Sequence, residues 1–184
     1  MMAASSCGAW DSHYAGLAAP QPYGDDTTYQ MAAQWVRGCK TVEDWGCGKG
    51  WLRQFCDPAA YVGVDGSRTP FADIICDVAA RETAAEGIVL RHVLEHNHNW
   101  AGILGNAMRS FTARLFIAIF TPPGERTRVL HTEAAYHNVP VISFRLDDIR
   151  SRLPPGATWD MDTTVQSGTF YGAETVLAAS RGPQ

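Results

Sequence analysis

Chemistry concentrates at two places in this 184-residue chain. The first is Asp44-Trp45-Gly46-Cys47-Gly48-Lys49-Gly50, alternating glycines set behind an acidic residue. Glycine has no Cβ, so a loop of this kind lets a ligand approach bare backbone. The second is His92-Val93-Leu94-Glu95-His96, with His98 close behind. Read literally, it satisfies H-x-x-E-H, in which two histidines on one helix face hold zinc and the glutamate serves as base. That pattern would make a zinc hydrolase of His92, Glu95 and His96. It offers no evident third ligand, however, beyond Glu133 or Glu174. The stretch also follows an apolar run and does not lie within a helix-like one, so no metal is expected.

The glycine loop rules out two common ligands. A dinucleotide loop requires G-x-G-x-x-G, but Trp51 stands at the third glycine position, where its bulk would obstruct a pyrophosphate. A phosphate-binding loop requires Gly-Lys-Ser/Thr, and Gly50 is followed by Trp51. Three carboxylates accompany the loop instead. Asp65 lies 19 residues beyond Gly46, a position suited to accepting both hydrogen bonds of a ribose diol. Asp44 suits an ammonium group, and Asp77 the amino group of an adenine.

The elements that must position these groups alternate along the chain. Short apolar runs over 41–45, 61–64, 73–76, 88–90 and 115–120 read as strands buried on both faces. Helices are expected after Asp25-Asp26-Thr27, through Met31, Trp35 and Val36, and then over 51–55 and 100–111. A further strand is read over 139–144, and a helix over 146–153 halted by Pro154-Pro155. Runs at 163–166 and 174–178, separated by a Gly-containing loop, suggest a closing hairpin. The pattern is a doubly wound α/β sheet with an antiparallel finish, formed by one domain over 25–184. All three carboxylates then fall at carboxyl ends of strands, the edge where open α/β sheets bind ligands. Residues 1–24 read as an N-terminal arm whose Trp10, His13, Tyr14 and Tyr23 equip it as a possible lid.

Composition narrows the classes further. A net charge of −4 carries no electrostatic footprint for nucleic acid. The weakly basic stretch from Arg109 to Arg152 reads as a solvated surface. The longest apolar run, 115–120, is far too short to span a bilayer, so no membrane association is expected. The cysteines number five and show no C-x-x-C spacing, and no secretory signal is visible; a reducing cytoplasm is the expected location. His131 and His137 fit no metal spacing and read as surface or core residues.

The segment Val42-Glu43-Asp44-Trp45-Gly46-Cys47-Gly48-Lys49-Gly50 resembles the first motif of the class I S-adenosylmethionine (SAM)-dependent methyltransferases. Gly63-Val64-Asp65 resembles their second motif, and Leu94-Glu95-His96 is similar to a feature common after their fourth strand. The resemblance implies a Rossmann-like, mostly parallel seven-stranded sheet with an antiparallel last strand. It implies SAM as cofactor and S-adenosylhomocysteine as product. Asp44, Gly46, Cys47, Gly48, Gly50, Asp65, Gly66, Asp77, Val78 and Arg91 carry over as cofactor contacts. Arg91 and His92 would approach the methionine part, partly through backbone. His96 is the first candidate for a general base and His92 the second; packing or capping a helix start accounts for His96 equally well. Phe120-Thr121-Pro122-Pro123-Gly124 would shape the acceptor pocket, yet departs from the Asn/Asp-Pro-Pro-aromatic motif of nucleic-acid amino methylases. A small-molecule or sugar-like acceptor is therefore expected, held by the arm and residues 124–140. The non-enzymatic alternative is a SAM-binding module that acts through a partner.

Overall fold

The computed structural model describes residues 7–134 and 139–182; His137 lies outside them. In chain order the strands are β1 (Val42–Trp45), β2 (Tyr61–Asp65), β3 (Ile74–Ile75), β4 (Gly87–Arg91), β5 (Arg114–Ile119), β6 (Arg128–Glu133), β7 (Val139–Ser143), β8 (Thr158–Gln166) and β9 (Ala173–Ser180). The helices are α1 (Asp11–Tyr14), α2 (Thr27–Trp35), α3 (Trp100–Ser110) and α4 (Leu146–Arg150), with 3₁₀ turns at Trp51–Phe55 and Leu94–His96. The main sheet has seven strands in the order β3-β2-β1-β4-β5-β9-β8. Strands β1 to β5 run parallel, β9 enters antiparallel to β5, and β8 lies antiparallel to β9 on the outer edge. The strand order reverses between β1 and β4, and their carboxyl ends open the crevice that ligands occupy in such sheets.

Alternation along the central strands explains the two cores. On β4, Ile88 and Leu90 face Ile103, Leu104 and Ala107 of α3, while Val89 faces Tyr29 and Ala32 of α2. On β5, Leu115, Ile117 and Ile119 join the α3 side, and Phe116 and Ala118 the α2 side. Successive side chains point to opposite faces, so strands covered on both sides need apolar residues at nearly every position. Glu43 ties the connection before β4 to β1. Its carboxylate takes both arms of the Arg81 guanidinium at 2.7 Å, the Trp45 indole N–H at 2.7 Å and the Thr83 hydroxyl at 2.9 Å. A bidentate, charge-assisted pair of this kind is among the stronger hydrogen-bonded contacts.

Several elements differ from their sequence outlines. The run at 139–144 does not join the main sheet; as β7 it pairs with β6 in a separate antiparallel ribbon. Strand β6 has no apolar run to announce it, because it is mostly exposed and held by pairing alone. Strand β8 starts at Thr158 instead of 163, its acidic outer half exposed at the sheet edge. The helix expected over 146–153 contracts to α4, and 51–55 forms a 3₁₀ turn, not an α-helix. Among the described residues no helix is long and apolar enough to cross a membrane.

Gly50 shows how tightly the first loop is packed. It adopts φ +71°, and a Cβ there would lie 2.5 Å from Phe71 Cβ. Gly50→Ala is expected to cost about 2–4 kcal/mol, the sum of a left-handed backbone penalty and overpacking. Urea unfolding measures this; an unchanged midpoint would mean that Phe71 yields without cost.

Candidate functional site

The carboxyl ends of β1, β2 and β4 and the segment after β5 open onto a cavity of about 310 Å³. Asp44, Gly46, Cys47, Gly48, Asp65, Gly66, Asp77, Val78, Arg91, His92 and His96 all line it. Of the expected cofactor contacts, Gly50 alone does not; it faces Phe71 and serves the packing of the loop.

The loop follows β1 directly and turns at Gly46, which has φ +76° and leaves room for Val93, 2.5 Å from where a Cβ would sit. Four of its backbone donors are already engaged. Gly46 and Cys47 both donate to Val64 O, Gly50 donates to Cys47 O, and Gly48 donates to Asp65 Oδ2 at 2.8 Å. These donors therefore form no N–H cradle for a phosphate, and a single 3₁₀ turn supplies little of the dipole of a long helix. Trp51 is not the obstruction expected: its indole bonds Asp26 and packs against Phe55, outside the cavity. The exclusion of phosphate rests on the engaged amides instead.

The carboxylates occupy distinct settings. Asp65 accepts from Gly48 N–H with one oxygen and from Ser67 N–H with the other, both at 2.8 Å, so it braces two loops while facing the cavity. Each oxygen retains a lone pair for a further donor. Asp44 is buried, accepts the Tyr61 hydroxyl at 2.7 Å, and is pushed up to about 7 by burial. The charge of Arg91 opposes that rise but is the lesser influence. A cationic donor arriving in the cavity would restore the charged form. Asp77 turns its Oδ1 onto Ala79 N–H at 2.9 Å beside Val78.

Arg91 and His92 are engaged more deeply than expected. The Arg91 guanidinium donates to Thr28 Oγ1 at 2.8 Å and Tyr23 O at 2.9 Å, meets Glu174 Oε1 at 3.3 Å, and lies 3.8 Å over the Tyr29 ring. His92 Nδ1 lies 3.3 Å from Arg91 Nη1, which only donates, so the imidazole proton sits on Nε2, 3.2 Å from Glu174 Oε2. Burial, with the Arg91 charge, lowers His92 to about 4 and keeps the ring neutral. Both ring nitrogens thus lie close to protein groups, which favours His96 over His92 as the candidate proton acceptor. It is held at φ +58°, a strained setting for a non-glycine residue.

His96 is placed differently. Its Nδ1 lies 3.1 Å from the carbonyl of Pro140, which accepts the N–H and leaves the lone pair on Nε2. The ring lines the cavity between Trp10 and Phe120. Burial lowers its pKa, so it is neutral and able to take a proton near pH 7. Glu95 turns away into the core, where its Oε1 accepts Phe120 N–H at 2.9 Å. The helix geometry that the zinc motif requires is not present here: Leu94–His96 is a 3₁₀ turn, not an α-helix, and His92 lies before it.

Sequence reasoning missed Thr28, Tyr29 and the structural role of Glu174, because each meets Arg91 from a distant element. It also missed the loop between β8 and β9, whose Gly168, Thr169 and Phe170 line the cavity. None of the described residues of 124–140 lines it. The described part of the arm does so, through Cys7, Trp10, Tyr14, Tyr23 and Gly24. It is fastened by Gly8 N–H to Gly66 O, Trp10 N–H to Ser67 Oγ and Gln21 N–H to Lys49 O.

The fold is shared with solved structures. A 1,6-didemethyltoxoflavin-N1-methyltransferase of Burkholderia thailandensis, solved with 1,6-didemethyltoxoflavin and S-adenosylhomocysteine, matches at a TM-score of 0.62 and 16% identity, over 85% of this chain and 77% of that one. The magnesium protoporphyrin IX methyltransferase of Synechocystis PCC 6803, solved with SAM, matches at 0.58 and 17% identity, over 85% and 76% respectively. The mitomycin 7-O-methyltransferase matches at 0.54 and 17% identity, over 85% of this chain and 54% of that one. The chain therefore has the Rossmann-like fold of the class I SAM-dependent methyltransferases. No protein-family model matches its sequence, and no curated protein does.

Glu95 makes the site pH-sensitive. Burial raises its carboxyl to about 8 in the folded protein, against an ordinary 4.5. Between those values the native state holds a proton that the unfolded chain has lost, so stability falls as pH rises toward 8. Glu95→Gln keeps the Phe120 contact without the titration. From about pH 5 to about pH 9 the variant should lose less stability than the wild type, as read by urea unfolding at each pH. Parallel curves would refute it.

Proposed function

We propose that this protein catalyses methyl transfer from SAM to a small-molecule acceptor. The observation that carries the reading is the arrangement of Asp44, Asp65 and Asp77 around a glycine loop whose Gly46, Cys47, Gly48 and Gly50 amides are engaged. Such a site recognises donor groups with carboxylates and offers little to phosphate. Asp65 would hold the ribose hydroxyls, Asp77 the adenine amino group and Val78 the face of the base. Asp44, buried without a guanidinium or ammonium bonded to it, would take the ammonium of the methionine part. Gly46, Cys47, Gly48 and Gly66 would supply close backbone walls, and Trp10, Tyr14 and Tyr23 of the arm would act as the lid. The neighbours described above, which are methyltransferases by their names, support the same class of reaction.

SAM supplies an electrophilic methyl group on a sulfonium centre. This chain contributes alignment, exclusion of water by the arm, and a proton acceptor. Positioning accounts for much of the barrier lowering in such displacements. His96 Nε2 would take the acceptor's proton, with Pro140 O fixing the tautomer. His92 and Arg91 act behind it as a rigid floor.

Calorimetry should detect SAM and S-adenosylhomocysteine binding, and Asp65→Ala should weaken both by about 1.5–3 kcal/mol, the scale for hydrogen bonds to a charged group. No binding at millimolar ligand would overturn the reading. His96→Ala should lower kcat by about 10²–10⁴-fold with SAM affinity retained, as expected for loss of a general base. Release of S-adenosylhomocysteine with an acceptor distinguishes an enzyme from a binding module.

A further inference from the structure

The end of the cavity beyond the carboxylates is walled by aromatic rings from separate parts of the chain. Trp10 of the arm meets His96 at 5.4 Å and 68°, and His96 meets Phe120 at 5.4 Å and 35°. Phe120 stacks on Tyr171 at 5.9 Å and 26°, and Tyr171 meets Phe170 edge-on at 5.0 Å. Phe170 lines the cavity yet is 89% exposed, a phenyl ring held at the mouth with nearly all its burial still to gain. Among the described residues that line the cavity, Arg91 is the one lysine or arginine, and it is bonded to Thr28, Tyr23 and Glu174.

We infer that the acceptor is a flat, uncharged aromatic compound bearing a weakly acidic ring O–H or N–H. This rests on the methyl-transfer reading and sharpens it, because a sugar-like acceptor loses its place. Many hydroxyl groups would be desolvated against rings that return few hydrogen bonds, and a carboxylate or phosphate would meet no available cation. A planar ring fits instead between faces that prefer offset or edge-on partners. For an O–H acceptor, His96 Nε2 takes the proton and the oxygen lone pair forms the new O–C bond. The C–S bond breaks with its electron pair left on sulfur. The products are an aryl methyl ether, S-adenosylhomocysteine and a protonated His96, so atoms and charge balance.

The test uses the full chain saturated with S-adenosylhomocysteine and titrated by calorimetry with 2-naphthol or its saturated counterpart, decahydro-2-naphthol. The two share a hydroxyl and a similar size but differ in planarity and aromaticity. 2-Naphthol should bind at least about 10-fold more tightly. Phe170→Ser, at an exposed position, should reduce that preference severalfold while S-adenosylhomocysteine affinity stays unchanged; Phe120→Ala should reduce it further. Equal affinities, or no 2-naphthol binding to the loaded protein, would overturn the inference and leave the methyl-transfer reading standing. Failure of S-adenosylhomocysteine to bind would instead remove the reading on which it rests.

Discussion

The site is organised around one buried cation. A guanidinium withdrawn from water is tolerable only when its donors are matched, and removing a single partner from such a cluster is strongly destabilising. Arg91 finds its partners on the arm, on α2, on the neighbouring residue of its own chain segment and on β9. Satisfying this one side chain therefore fastens four parts of the fold at the carboxyl edge of the sheet. The Glu174 carboxylate, which burial would push up, is held below its ordinary value by His92 and Arg91.

The consequences divide two adjacent histidine sites into different roles. His92 is drawn into the cluster, neutral and strained, while its ring still lines the cavity. His96 lies beyond it, with its tautomer set by a carbonyl on β7. That is also how the small ribbon of β6 and β7, although outside the main sheet, contributes to the site. The loop after β1 follows the same logic of satisfied groups. Its Gly46, Cys47, Gly48 and Gly50 amides bond inward, and the cavity is lined by carboxylates and aromatic rings together.

Much of this was legible in the residues, and the failures have specific causes. Strands β1, β2, β4 and β5 announce themselves because burial on both faces demands unbroken apolar runs. Asp44, Asp65 and Asp77 were placeable because each ends a strand. Strands β6 and β8 were not, or only in part, since a ribbon and a sheet edge are held by pairing partners that local sequence does not reveal. Trp51, expected to obstruct a dinucleotide, lies outside the cavity instead. The bond to Asp26 at the start of α2 that helps turn it away is a contact between elements.

The sequence by itself determined the fold class, the strand edge that carries the site and the carboxylates that face the cavity. Those follow from hydrophobic periodicity and from glycine and aspartate at strand ends, which are local properties. Only the tertiary structure decided which nitrogen of each histidine carries the proton, that Arg91 ties the arm, α2 and β9 together at the cavity wall, and that Phe170 stands at the mouth. Each of those depends on groups far apart in the chain, Glu174 with His92, Tyr23 with Arg91 and Pro140 with His96. Long-range pairing sets tautomer, charge and exposure, and none of these is written in a residue's immediate neighbours.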